Sequence, residues 1–391
     1  MKYDFDTAIN RKDTGSVKWD FAGDAIPMWV ADMDFETFPG IKKKVMERAA
    51  HGIYGYTHDT ASWSDAYKYW WKTRHGFEID ADWLVFVTGI VPAISSAVRK
   101  LTTPGENVLI QTPVYPVFFN SILNNGRQVL ENRLVYDRES GSFAVDWDDL
   151  EKKLADPQTT LMILCNPQNP TGNIWDKETL IKIGELCAAN HVRIVSDEIH
   201  CDVVTPGKEY TPFASVSELN RRISVTCVSP TKTFNIEGIK TAAIIVPDGD
   251  LRHKMWRGIN TDEVGEGNYF AYEAAAAAFS KEGGEWLDEL REYIWANRRF
   301  AEGYIKEEIK TLRPIRSDAS YLMWVDCGDV TDDTEIFVKH LKKNAKVMFS
   351  YGEPFGGKSG TFIRINLACP GTMLEEALQR LKKGTAEFGR D

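Results

Sequence analysis

Residues 222–247 read RISVTCVSPTKTFNIEGIKTAAIIVP and set a lysine between two stretches that belong in a protein core. The β-branched, apolar runs 223–228 and 241–246 predict buried strands, and the polar turn joining them holds Ser229, Thr231, Lys232, Thr233 and Asn235. Such a lysine admits two readings. Either it stands in water on a polar connection, or it lies at the floor of a pocket. In the second case, desolvation favours the neutral amine, whose lone pair can condense with a carbonyl.

Other residues suited to the same chemistry follow further apolar runs. After 83–87, Thr88, Gly89 and Ile90 turn into a helix with Pro92 near its start. Free N–H groups beside a glycine suit a phosphate, and they equally suit a plain strand-to-helix turn. After 108–111, Tyr115 sits on a Pro-flanked turn where its ring can stack against a flat ligand. After 161–165 comes NPQNPTG, in which Asn169 can donate to a ligand oxygen. After 192–195 comes Asp197, a buried acid that needs a partner, with no arginine evident to supply one. Arg364 alternates with Ile363 and Ile365 in a predicted strand. It is either an edge-strand surface residue or a buried clamp for a carboxylate.

What must bring these residues together is the order of the elements. From residue 82, strands alternate with helical stretches at 92–101, 116–123, 147–154 and 177–190. That pattern predicts a mostly parallel sheet covered by helices on both faces, an α/β fold. Ligands of such sheets bind beyond the carboxyl ends of the strands, where all five strand-end positions above converge. Before it, 1–38 is irregular and ends in PMWVADMDFETF, whose Met28, Trp29 and Phe35 are expected to cover core or the mouth of a cleft. Helices are expected at 40–51 and 62–75, with Tyr56 on the loop between them and Trp63, Tyr67, Trp70 and Trp71 as a core stripe. After it, helices are expected at 250–258 and 268–280, and a long helix at 285–309 links to a tail with strands at 321–326, 346–350 and 361–366, an α+β lobe.

The chain of 391 residues with 12 tryptophans is long enough for two domains. Its formal charge of -10 comes without long like-charged runs, which argues against nucleic acid or an anionic membrane as partner. The six cysteines form no CxxC pair and read as reduced core thiols. The first twenty residues are too charged for a signal peptide, and no apolar stretch is long enough to span a bilayer, so a cytoplasmic protein is expected. No metal cluster, P-loop or Ser-His-Asp pattern competes.

The spaced set Tyr115, Asn169-Pro-Thr-Gly, Asp197, Ser229-x-x-Lys232 and Arg364 resembles the fold-type I, aspartate-aminotransferase-like family of pyridoxal 5'-phosphate enzymes, over nearly the whole chain. The strings PMWVADMDF, YGY, SDEIH, KTFN and RINLACP are similar to one branch, the MalY/PatB-type cystathionine β-lyases, or C-S lyases. The resemblance implies a large cofactor-binding domain at 51–283 and a small α+β domain at 284–391 that also takes in 1–50. It implies that Lys232 is joined covalently to the cofactor and later removes the substrate α-proton, while Asp197 faces the pyridine nitrogen. Asn169 and His200 would contact the ring hydroxyl. His200 stands where aminotransferases of the family carry tyrosine, and a solvated strand-end histidine is the other reading for it. Gly89, Ile90 and Ser229 would bind the phosphate, with Lys240 where an arginine is usual. Tyr56 would reach the phosphate of a neighbouring subunit, implying a homodimer. Arg364 would hold the carboxylate of an amino-acid substrate, beside Trp29 and Tyr56, and Tyr115 or Lys232 would protonate the departing sulfur. The implied activity is β-elimination of cystathionine or another S-substituted cysteine. An aminotransferase, or a partner-binding regulatory protein that retains the cofactor, are the alternatives.

Overall fold

The computed structural model describes residues 2–389. Residues 1, 390 and 391, which fall in the first and last of the expected segments, lie outside the described residues. The apolar runs become a seven-stranded sheet. Its strands are β1 (Leu84–Val87), β2 (Asn107–Thr112), β3 (Gln128–Arg133), β4 (Thr159–Cys165), β5 (Arg193–Asp197), β6 (Ser224–Val228) and β7 (Ala242–Ile245), in the spatial order β1-β7-β6-β5-β4-β2-β3. All neighbours are parallel except β7, which runs antiparallel to both β1 and β6. Both faces are buried: on β4, Leu161 and Ile163 belong to one apolar cluster, and Met162 and Leu164 to another on the opposite side. Two covered faces explain why the central strands read as continuous apolar runs.

β3 was not legible. Four of the six residues of its sequence, QVLENR, are polar because it is the sheet edge, with only one fully buried residue. Edge strands need no apolar residues on both faces, so the signal is lost.

The predicted aromatic stripe lies on α1 (Ala61–His75), where Trp63, Tyr67, Trp70 and Trp71 are all buried against Phe234, Phe279 and their neighbours. Burying one such ring contributes about 2 kcal/mol. A second sheet, wholly antiparallel, holds β8 (Arg313–Pro314), β9 (Leu322–Asp326), β10 (Ser350–Tyr351) and β11 (Phe362–Asn366) in the order β8-β9-β11-β10. Ala301 and Ile305 of the long helix Lys281–Glu308 pack on it. The expected strand 346–350 is two short pieces, Val347–Met348 and β10; the first pairs with Ile26–Pro27 in the segment expected to be irregular.

That N-terminal segment bridges the two sheets. Asn366 Nδ2 on β11 donates to the carbonyls of Val30 and Asp32, both at 2.6 Å, and the Asp34 N–H donates to Ala368 O at 2.9 Å. From the side of the large sheet, Asn235 reaches it through Met33 and Phe35. Lys18, completely buried, ties its carboxylates together, with Nζ 2.6 Å from Asp34 Oδ2. Met28 and Phe35 are buried, as their sequence setting predicts.

Candidate active site

A cavity of about 1010 Å³ opens at the carboxyl ends of the large-sheet strands. Five of the seven strands deliver groups to it. After β1, Gly89 is the N-cap of the helix Ile90–Leu101, with no side-chain capping bond, so the first N–H groups of this helix stay open toward the cavity. After β2 comes Tyr115, after β4 Asn169, at the end of β5 Asp197 and then His200, and after β6 Lys232 on the short helix α2 (Thr231–Phe234). Lys240 and Tyr56 also line the wall; Tyr56 is fully exposed in the single chain.

Three predicted residues lie off the wall. Ser229 is buried behind Thr231: its hydroxyl donates to Thr241 O at 2.7 Å and accepts the Thr231 N–H at 3.1 Å, leaving Thr231 to face the cavity. Trp29 turns its indole away, donating Nε1 to Lys18 O at 3.0 Å, and offers the site only its carbonyl. Arg364 sits behind Asn169, donating Nη1 to Asn169 Oδ1 at 3.1 Å and Nη2 to Trp29 O at 3.1 Å.

The charges here are unusual for buried groups. Asp197 accepts one backbone hydrogen bond, from the Ile199 N–H at 3.2 Å, and forms no ion pair among the described residues. Burial pushes its carboxyl up to about 7, against the pull of that N–H and of the Lys232 charge. His200 is buried rather than solvated, which overturns the surface reading, and its Nδ1 has no hydrogen-bond partner. Burial, then the charges of Lys232 and Arg364, pushes it down to about 3, so the imidazole is neutral. Arg364 is 7% exposed on the interior strand β11, which overturns the edge-surface reading. Its guanidinium, brought down to about 10 by burial, has only neutral oxygens as partners among the described residues, and its Nε has none. Buried ions keep that state only when a ligand completes them.

Lys232 is not a lysine waving in water, nor one stripped of partners. Its Nζ donates to Ala31 O at 2.5 Å and to Glu237 Oε1 at 3.0 Å, with 22% of the side chain exposed. Sequence reasoning missed Glu237, and missed Ile199 and Tyr54 on the wall. The one signal for Glu237 is its place five residues after the lysine in the same connection.

A flat, acidic-ended heterocycle bearing an aldehyde and a phosphate fits this donor set. Lys232 offers an amine, Asp197 a buried acid able to accept a ring N–H, His200 an unpartnered Nδ1, Asn169 an amide and the helix that starts at Ile90 its open N–H groups. The Aminotransferase class I and II family matches residues 24–381.

The chain belongs to that family.

It is 43% identical to cystathionine beta-lyase PatB of Bacillus subtilis (strain 168) over 97% of this chain and 98% of that one. It is 30% identical to protein MalY of Escherichia coli (strain K12), over 97% and 98%. The crystal structure of cystalysin from Treponema denticola, which contains pyridoxal 5'-phosphate, superposes with a TM-score of 0.95 at 33% identity, covering 99% of this chain and all of that one. The family resemblance drawn from the motifs holds, as does the α/β architecture of fold-type I enzymes.

Proposed function

We propose that this protein is a pyridoxal 5'-phosphate-dependent carbon-sulfur lyase. It cleaves cystathionine or a related S-substituted L-cysteine to a thiol (homocysteine, from cystathionine), pyruvate and ammonia. The observation that carries the proposal is that Lys232 and the buried Asp197, which forms no ion pair among the described residues, line one cavity in a chain 43% identical to a cystathionine beta-lyase. Bound here, pyridoxal phosphate supplies an aldehyde for amines and a ring that accepts electrons.

The chain's residues do the rest. Lys232 holds the cofactor and, once free, takes the substrate α-proton on Nζ. Asp197 would accept the ring N–H and hold that proton in place, gaining the charged partner that it lacks among the described residues. Asn169 and His200 would orient the ring oxygen, and the N–H groups of Gly89 and Ile90, with Thr231 and Lys240 also on the cavity lining, would receive the phosphate. Ser229 acts on that group through Thr231. Arg364 would donate to the substrate α-carboxylate in a two-pronged bond, its guanidinium held in place by the Trp29 carbonyl and Asn169 Oδ1. Tyr115 or Lys232 returns a proton to the departing sulfur.

The large domain at 51–283 and the small domain at 284–391, joined by 1–50, are supported by the two separate sheets and their cores. A homodimer with Tyr56 reaching the neighbouring site is supported by the wholly exposed side chain of Tyr56 and the largely exposed Ile53 and Tyr54 beside it. A cytoplasmic setting is supported by six free, buried cysteines. No helix of the described residues is long and apolar enough to cross a membrane.

Lys232→Ala should abolish pyruvate release from cystathionine in the purified, cofactor-loaded protein. A variant keeping more than a trace of that activity removes Lys232 from the mechanism. The family match also favours transamination, which shares the same lysine and its first proton transfer. Incubation with glutamate and a 2-oxo acid separates the two, because only an aminotransferase forms a new amino acid.

A further inference from the structure

Glu237 has no part in the chemistry above, yet it is the carboxylate that holds Lys232. Its Oε1 lies 3.0 Å from Nζ, and Ala31 O, itself receiving the Tyr321 hydroxyl at 3.1 Å, takes a second proton of the same ammonium. The spacing is built into one short piece of chain. Asn235 closes α2 in the left-handed region, at φ 55°, and turns the backbone into the 3-10 segment Glu237–Ile239; Lys240, at φ 57°, turns it out again. Lysine and glutamate therefore sit on the same fold-back, and their distance does not depend on how the two sheets are placed. The pair is partly shielded, with 22% and 27% of the side chains exposed, so its attraction exceeds that of a surface pair. The neighbouring titratable groups cannot replace it: Asp197 forms no ion pair with Lys232, and His200 is neutral.

We propose that Glu237 is the counter-ion of the Lys232 ammonium, a positioning residue that stabilises the charge Nζ acquires when it takes the substrate α-proton. This rests on Lys232 being the base of the lyase reaction. In that step an N–H bond forms at Nζ while the Cα–H bond breaks. The Cα–H electron pair becomes the Cα–Cβ double bond, and the C–S pair leaves with sulfur. Nζ then carries a positive charge until it gives its proton to the thiolate. A carboxylate 3.0 Å away lowers the energy of that charged state while it lasts.

The same charge has opposite effects on two measurable properties. In the cofactor-free protein, Glu237→Gln should make Lys232 about tenfold more reactive toward trace acetic anhydride at mildly alkaline pH, read by peptide mass spectrometry against the other lysines, because Nζ loses the carboxylate that holds it at 3.0 Å. In the cofactor-loaded enzyme, the same variant should lower kcat on cystathionine about tenfold, with KM little changed and a larger isotope effect for α-deuterated substrate. Glu237→Asp, which keeps the charge, should move both properties back toward wild type. Local opening would also expose the partly buried lysine and slow turnover, so the comparison is made on variants whose melting temperature matches wild type, and recovery of both properties in Glu237→Asp separates charge from exposure. Unchanged or slower acylation in Glu237→Gln, or an unchanged kcat, overturns the proposal. The acylation arm needs no substrate, so it stands or falls separately from the lyase assignment.

Discussion

Asp197 carries a proton that the unfolded chain would not. Burial pushes its carboxyl up to about 7, whereas an exposed aspartate titrates near about 4. Between those values the folded, cofactor-free protein binds a proton that the unfolded chain has released, so stability falls as pH rises through this window. Asp197→Asn is isosteric and removes the titration. The melting temperature of the cofactor-free variant should therefore gain on that of the wild type as pH is raised from about 5 to about 8. Glu198, also pushed up to about 7 mainly by burial, is raised further by the Asp197 charge, so the difference between the two proteins reads the coupled pair, with Asp197 the member removed. Parallel melting curves across that range would mean that Asp197 is already charged and satisfied. In the loaded protein the same variant should bind the cofactor more weakly, since a neutral amide cannot hold a proton on the ring nitrogen.

At the scale of elements, the connection between β6 and β7 and the N-terminal segment position each other through Asn235. Its Oδ1 accepts the Met33 N–H at 2.9 Å, and its Nδ2 donates to Met33 O at 3.0 Å and Phe35 O at 2.8 Å. These bonds set Ala31, two residues away, against Lys232. Asn235→Ala loses all three and puts a β-carbon without a compensating side-chain bond at φ 55°, for a cost of about 3 kcal/mol. Asn235→Gly loses the bonds but tolerates the backbone. Urea unfolding should rank wild type above glycine and glycine above alanine, with both variants slowed in lyase turnover. If both variants unfold at the wild-type midpoint, the segment is held by β11 alone. A second buried anchor supports the same short helix: Asp202 accepts the Thr233 hydroxyl at 3.0 Å and the Trp70 indole N–H at 2.8 Å, beside His75.

At the scale of the whole molecule, Tyr56 decides between one chain and two. It lines the cavity wall yet is fully solvent-exposed, which suits a side chain completed by a second copy. Sedimentation should give twice the chain mass. A stronger test is to mix, after gentle denaturation and refolding, inactive Lys232→Ala chains with Tyr56→Ala chains. In a mixed dimer the site with an intact Lys232 receives an intact Tyr56 from its partner, so activity should rise above that of either variant alone. No gain on mixing would place Tyr56 in its own chain's site.

The sequence by itself determined the large sheet's interior strands, the rim on which Tyr115, Asn169, Asp197 and Lys232 converge, and the family. Those features come from local pattern: apolar runs of strand length ended by turns carrying polar residues, in a fixed order. Only the tertiary structure decided that His200 and Arg364 are buried, that Ser229 stands behind Thr231, that Trp29 gives a carbonyl and not a ring, and that Glu237 faces Lys232. The reason is physical. Burial and pairing of a polar group depend on what distant segments bring within a few ångströms, and β11 meets the Asn169 turn only when the chain has closed across nearly two hundred residues.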